Sequence, residues 1–363
     1  MRPESVEELA EIVAEAAALG RKLEIVGGGT KADIGAPREA ERLDMTGFSG
    51  VIDYDPAELV LTVGAGTPLA EIEALVASKN QMLAFEPYGA PGSTIGGVVA
   101  AGVSGSRRVS RGAVRDHLLG FKAVSGRGES FVGGAKVVKN VTGYDLPKLA
   151  AGSWGRLFAM TEVTLKVLPR PLEQVTLVAR GLSAADAVRL MAQALGSQAE
   201  VAAAGSAEDV TGLRLEGFGP SVAARRVLLE TMAPFSAFQE GEAEALWAML
   251  KNPMPDAPVL WRLGLPASRA AEVAGKGLGP WLMDWGGARL WLASEDAEAV
   301  RAAAQESGGH ATLVRAPEAM RRTVPALHPQ PAPVMALEAR VRGAFDPAGV
   351  FETGRFLDKP HAD

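Results

Sequence analysis

The chain has no cysteine. No disulfide, thiolate nucleophile or cysteine-held iron–sulfur cluster can form within it. Histidine is scarce: His117, His310, His328 and His361 are all there are, and no two stand at helical ligand spacing. With H-E-x-x-H also absent, a zinc or iron site built from this chain alone is not expected. A basic surface is lacking too. The net charge is −6, from 37 Lys+Arg against 43 Asp+Glu, which argues against sequence-independent nucleic-acid binding. No stretch reaches the ~18 apolar residues of a membrane span. The start, Met1 to Leu9, has no apolar core of a secretory signal. The expectation is a cytoplasmic protein.

Glycine is abundant. The 42 glycines are roughly 12% of 363 residues, against a typical ~7%. They follow no period, so they mark turns and close backbone approaches rather than a fibrous repeat. Hydrophobic residues at 47% and charged residues at 22% describe a globular chain long enough for two domains.

Ser5 and Glu8 form a capping-box pattern ahead of Val6, Leu9, Ile12, Val13, Ala16 and Ala17, and Gly20 stops that helix. Strands are predicted at Leu23–Val26, Val51–Tyr54, Leu59–Val63, His117–Val124, Glu129–Val132 and Phe158–Val167, with helices at Pro68–Ser78 and Tyr144–Ala150. After Pro171 two βαβ-like rounds predict an α+β region with an internal repeat. Its strands are Gln174–Leu182, Thr211–Phe218, Val259–Leu265, Ala288–Ala293 and Ala311–Val314. Its helices are Ser183–Leu195, Pro220–Glu230, Ser268–Gly275 and Glu295–Gln305. Pro325–Pro333 reads as an extended connector and Glu338–Phe345 as the last helix.

The familiar nucleotide motifs fail. Gly64-Ala-Gly66-Thr-Pro-Leu69 and Gly126-Arg-Gly128-Glu-Ser-Phe131 both miss the G-x-G-x-x-G spacing, and Val273 to Gly277 lacks the flanks of a P-loop. Two other clusters remain: Gly27-Gly28-Gly29-Thr30-Lys31 after a strand, and Pro91-Gly92-Ser93-Thr94-Ile95-Gly96-Gly97. Bare amides and hydroxyls suit a phosphate. Tight turns or close strand packing would use the same residues.

Five motifs together carry a resemblance. Ile25 to Thr30, Leu61 to Gly66, Gly92 to Gly97 and Arg111 to Asp116 closely resemble the FAD-binding domain of the vanillyl-alcohol oxidase family, the PCMH-type flavoprotein fold. Val137 to Asp145 with Ala151 to Gly155 resemble one branch, the flavin-binding E subunits of bacterial glycolate oxidase, and Phe345 to Phe351 with Gly354-Arg355 fit that branch. The resemblance is strong over residues 1–170 and clear in the last twenty or so.

The resemblance implies an α+β fold in three parts. Residues 1–171 would be a two-subdomain PCMH-type FAD-binding domain and 172–330 a smaller ferredoxin-like cap or docking domain. Residues 331–363 would return to the FAD domain. It implies non-covalent FAD, because Thr30 stands where covalent members place a histidine. Gly27, Gly28, Gly29, Thr30 and Lys31 would hold the pyrophosphate. Gly92, Ser93, Thr94, Gly96 and Gly97 would add amides and hydroxyls. Ser104, Gly105 and Gly112 would run along the flavin, with Asp116 closing a turn. Gly152, Ser153 and Met160 would flank the adenosine or ring end.

The implied activity is oxidation of glycolate to glyoxylate, or of a related small 2-hydroxy acid. The implied partners are a larger flavin subunit and an iron–sulfur subunit, which would hold the chain at the inner face of the membrane. A stand-alone FAD-dependent alcohol or 2-hydroxy-acid dehydrogenase and a flavin-free scaffold are the alternatives. No catalytic residue can be named. Arg262, in an apolar strand, suits either a substrate carboxylate or a structural ion pair, with the ion pair favoured. The second domain's tryptophans are expected in its core or at a subunit interface, which favours a docking role for that domain.

Overall fold

The computed structural model describes residues 1–135, 144–207, 209–232 and 242–356. The chain opens with the helix Val6–Leu19. The Ser5 side chain accepts from Glu8 N, and Gly20 ends the helix in the left-handed conformation (φ 67°). The Glu8 carboxylate returns to the Glu4 N–H rather than to Ser5, so the capping box is shifted by one residue. The helix buries Leu9, Val13 and Ala16 against Leu23 of the strand Leu23–Val26 and Leu43 of its parallel partner Glu41–Asp44. Val350 and Phe351, from the far end of the chain, complete this core.

A five-stranded antiparallel sheet follows, in the order Val51–Asp55, Val60–Gly64, Phe158–Lys166, Leu118–Ser125 and Ser130–Gly134. Its core holds Leu61, Val63, Ile72, Phe85, Ile95, Val98, Phe121, Phe158 and Val163. His117 is not in a strand as expected. It ends the short helix Val114–His117, and its buried Nε2 lies 2.7 Å from the Arg111 carbonyl.

The chain then builds a seven-stranded sheet in which every pairing is antiparallel. Its order is Glu173–Arg180, Val210–Gly217, Ala203–Ala207, Trp281–Asp284, Arg289–Ala293, Leu260–Gly264 and His310–Arg315. Each predicted round is therefore split. Glu173–Arg180 and Ala203–Ala207 run parallel across the helix Ala184–Leu195, but Val210–Gly217 sits between them. Leu260–Gly264, Trp281–Asp284 and Arg289–Ala293 repeat this in mirror order, so the two rounds meet at one central pair. Helices cover one face over Met191, Val222, Trp261 and Val300. The helix Glu242–Lys251 covers part of the other, over Leu260, Leu282 and Trp291. Ala203–Ala207, Glu41–Asp44, Trp281–Asp284 and Glu242–Lys251 were not expected. The first has no β-branched or aromatic residue to mark a strand. The last helix runs Ala332–Phe345, starting inside the expected connector because proline is tolerated in a first turn.

The two sheets are joined by charge as well as packing. Arg214 binds Glu86 through two parallel hydrogen bonds of 3.1 and 2.9 Å. Arg107 Nε donates to Glu216 at 2.8 Å. Ser106 donates to Asp284 at 2.8 Å, and the same Asp284 oxygen accepts from Arg289. Burial alone would raise the Glu86 pKa. Arg214, Arg107 and Lys251 outweigh it and hold the carboxyl down at about 2.

A carboxylate depressed from 4.5 to about 2 stabilises the fold above pH 4.5 and loses that contribution as pH falls towards 2. Glu86→Gln is expected to cost about 3 kcal/mol at neutral pH. It should also flatten the decline in stability across that acid window, as read by denaturant unfolding at a series of pH values.

Candidate functional site

A cleft of about 800 Å³, open to solvent, lies where the first parallel strand pair meets the five-stranded sheet. Its walls include Gly27 to Ala32, Ser93, Thr94, Gly96, Gly97, Trp154, Phe158, Met160 and Arg355. The two glycine clusters touch each other here. A Cβ on Gly27 would stand 2.1 Å from Thr94 Oγ1, and one on Gly28 would stand 1.7 Å from the Gly92 carbonyl oxygen. Loop-on-loop packing alone therefore demands glycine at both positions. Gly29 is different: it takes φ 69°, and a Cβ there would come no nearer than 3.9 Å to any neighbour.

Charge and unspent hydrogen-bond donors show what the cleft can hold. The N–H groups of Gly28, Gly29, Thr30 and Lys31 donate to no protein acceptor among the described residues. Lys31 and Arg355 stand at the same place, and neither is ion-paired to a carboxylate there. Burial pushes the Lys31 ammonium below the usual lysine range, and Arg355 pushes it the same way. Burial, with Arg38 nearby, takes Arg355 down to about 10 against the pull of Glu24. Arg355 is held in place by the Ile34 and Lys31 carbonyls and lies 5.1 Å over the Trp154 ring. Two buried cations beside four free amides form a cradle for a doubly charged anion such as a dinucleotide diphosphate.

In the second loop four amides are engaged: Ser93 N with Ala90 O, Ile95 N with Thr67 O, Gly96 N with Ala65 O, and Gly97 N with Thr94 Oγ1. The N–H groups of Gly92 and Thr94 donate to no protein acceptor among the described residues. The Thr94 hydroxyl caps the helix Ile95–Ala100. The Ser93 hydroxyl donates to Ala90 O and lies 3.0 Å from Thr30 Oγ1. This loop walls the cleft and keeps those two donors unspent.

The cleft thus gathers Gly27, Gly28, Gly29, Thr30, Lys31, Ser93, Thr94, Gly96, Gly97 and Met160. Gly92, Ser104, Gly105, Gly112, Asp116, Gly152 and Ser153 are not among its lining residues. Ser104 Oγ accepts from Val114 N, and its carbonyl accepts from Arg289. The Gly105 carbonyl accepts from Trp285 Nε1. Asp116 closes a turn by accepting from Ala113 N, packed against Gly112 (φ 86°). Gly152, in turn, donates to Val99 O. Ser153 is next to the lining residues Trp154 and Gly155, and its Oγ is buried without a partner. Of the Val137–Asp145 motif, residues 137–143 lie outside the described residues, as does His361. Asp145 caps the helix Leu146–Ala150.

Sequence reading did not single out Arg355 or Trp154 as site residues. Their motifs were noticed, but their position in the cleft depends on a contact spanning 324 residues. The expected ion pair for Arg262 is absent: no carboxylate bonds to it among the described residues. Most of the second domain's tryptophans are in or against its core, as expected. Trp247, Trp261 and Trp291 are buried inside the second domain, and Trp285 is sandwiched between Arg108 and Arg289. Among the described residues there is no cluster of metal-binding side chains and no helix long and apolar enough to cross a membrane.

Comparison with known proteins gives the chain's family. The fold matches a solved structure of alkyldihydroxyacetonephosphate synthase with a TM-score of 0.70 at 16% identity, over 96% of this chain and 74% of that one. Residues 1–133 match the FAD binding domain family. Glycolate oxidase subunit GlcD of Bacillus subtilis is 28% identical over 206 residues, which span 56% of this chain and 44% of that protein. Glycolate oxidase subunit GlcE of Escherichia coli is 37% identical over 342 residues, covering 92% of both chains. A match of that extent, with the glycine loop lying inside the FAD-binding segment, means that the chain belongs to the family of glycolate oxidase subunit GlcE, FAD-binding oxidoreductases.

Proposed function

We propose that this chain is the FAD-binding subunit of a multi-subunit complex that oxidises glycolate to glyoxylate. The observation that carries the reading is the pair of cations, Lys31 and Arg355, with no carboxylate partner beside the free amides of Gly28 to Lys31. Bound there, FAD supplies the two-electron acceptor chemistry. The chain's own residues hold and orient it. Lys31, Arg355 and the amides take the diphosphate, Phe158 and Met160 form an apolar wall, and the unpartnered Ser153 hydroxyl is available nearby. Among the described residues no histidine lines the cleft, and the chain has no cysteine, which supports non-covalent attachment. Electrons leave through partner subunits: a larger flavin subunit, like the GlcD relative, and an iron–sulfur subunit, since the chain has no cysteine for a cluster of its own.

Lys31→Met removes one charged donor from the cradle without adding bulk. FAD affinity should fall by about 10- to 100-fold, equivalent to a charge-assisted hydrogen bond of ~1.5–3 kcal/mol. Titration of the apo chain with FAD measures this, and an unchanged dissociation constant contradicts the site. Gly28→Val is a poorer probe, because its Cβ would strike the Gly92 carbonyl and part the loops.

In the assembled complex, the Lys31→Met variant should lose glycolate-dependent dye reduction at limiting FAD and regain it at saturating FAD. Failure to regain it would show that Lys31 does something other than hold the cofactor.

A further inference from the structure

The inner face of the seven-stranded sheet carries a second concentration of positive charge, away from the FAD cleft. On Leu260–Gly264, Trp261 and Leu263 point into the helix-covered core, so Arg262 and Gly264 share the opposite face. Directly across from Arg262 are Trp291 on one side and Thr312 on the other. Across from Gly264 are Arg289 and His310. Gly264 has no side chain, and the His310 ring occupies the space a Cβ would need, within 2.6 Å of it. Arg108 and Tyr88 approach this face from the FAD-binding part.

These cations are not equivalent. Arg289 is neutralised: it binds the buried Asp284 and donates to the Ser104 carbonyl at 2.8 Å. Asp284 is in turn fully committed, to Arg289, Ser106 and Trp285 N. Arg108 lies 4.1 Å over the Trp285 ring and has no carboxylate of its own. Arg262 has neither a hydrogen-bond partner nor an ion pair among the described residues. It is enclosed by protein, yet part of its surface remains open to solvent. Its charged neighbours are of its own sign. Burial lowers the Arg262 pKa and Arg289 lowers it further, with Tyr88 opposing. Burial, Arg262 and Arg108 likewise lower that of His310, leaving its ring neutral and able to accept a hydrogen bond.

An arginine enclosed among other cations and bonded to nothing is destabilising for the fold. Such an arrangement is explained where an anion arrives to complete it. We propose that Arg262 is a binding residue for the carboxylate of a small 2-hydroxy acid, held on the sheet face that Arg108, Tyr88, His310 and Thr312 border. The guanidinium presents the two parallel donors that a carboxylate matches. His310 and Thr312, on the adjacent strand, supply polar groups for the neighbouring hydroxyl. The substrate class rests on the reading of the chain as a glycolate oxidase subunit; the anion site does not.

The test is calorimetric titration of the full chain, with and without FAD, using glycolate, acetate and inorganic phosphate, on wild type, Arg262→Met and Arg262→Lys. Wild type should bind glycolate. Arg262→Met should weaken binding by about tenfold or more and Arg262→Lys by less, since lysine keeps the charge but loses the fork. Melting temperature should hold or rise in Arg262→Met, because a like-charge contact is relieved. Glycolate binding unaffected by Arg262→Met overturns the proposal, as does phosphate binding as tightly as glycolate. If the melting temperature of Arg262→Met falls, Arg262→Lys decides: weakened glycolate binding in a stable Lys variant supports the site, and unchanged binding overturns it. A chain that takes up FAD but no glycolate refutes this inference and leaves the flavin reading intact. A chain that binds glycolate through Arg262 but no FAD refutes the flavin reading alone.

Discussion

The buried carboxylates Glu86 and Asp284 fix the relation between the two sheets. Glu86 belongs to the FAD-binding part and is gripped by Arg214 of the second sheet. Asp284 belongs to the second sheet and is reached by Ser106 of the first part. The segment Ser104–Arg107 is thus bonded at several successive positions, through the Ser104 carbonyl, the Gly105 carbonyl, the Ser106 hydroxyl and the Arg107 guanidinium. Removing Asp284 would leave Arg289 buried without a carboxylate, which costs more than the pair contributes when intact; removing Glu86 would leave Glu216 as the one carboxylate for both Arg214 and Arg107. This clamp sets the position of Arg108 and Tyr88 against the inner face of the second sheet.

The FAD cleft and the sheet face around Arg262 share one electrostatic feature. In each, half-buried cations stand without carboxylate partners among the described residues, although the chain as a whole is acidic. Other buried arginines are paired: Arg156 with Glu338 and Glu352, Arg214 with Glu86, Arg289 with Asp284. Cations gathered without carboxylates mark a place where stability has been given up for binding.

Much of the fold was legible in sequence because local chemistry dictated it. Ser5 and Gly20 bound the first helix, Ser183 starts another, and the glycine run after Leu23–Val26 marks a loop that leaves a strand. The unread elements lacked such signals. Ala203–Ala207 is alanine, glycine and serine, and it becomes a strand only because its neighbours need a partner. His117 continues an apolar run but is turned into a helix end by the Asp116 side chain capping Ala113 N. In the site, the first loop could be read from its glycines and lysine. The engaged amides of the second loop could not, since their acceptors Ala65 and Thr67 are distant in sequence. Arg355 could be placed in the cleft only by the return of the C-terminal segment, and the solitary state of Arg262 only by its strand neighbours.

The account stands on a non-covalent FAD in the cleft of Gly27 to Lys31. The most direct measurement is the visible absorption spectrum of the purified chain, taken before and after acid precipitation. The predicted result is an oxidised-flavin spectrum on the native protein, with all of the flavin released as FAD into the acid supernatant. A chain that carries no flavin and takes none up, or one whose flavin stays with the precipitate, would contradict it.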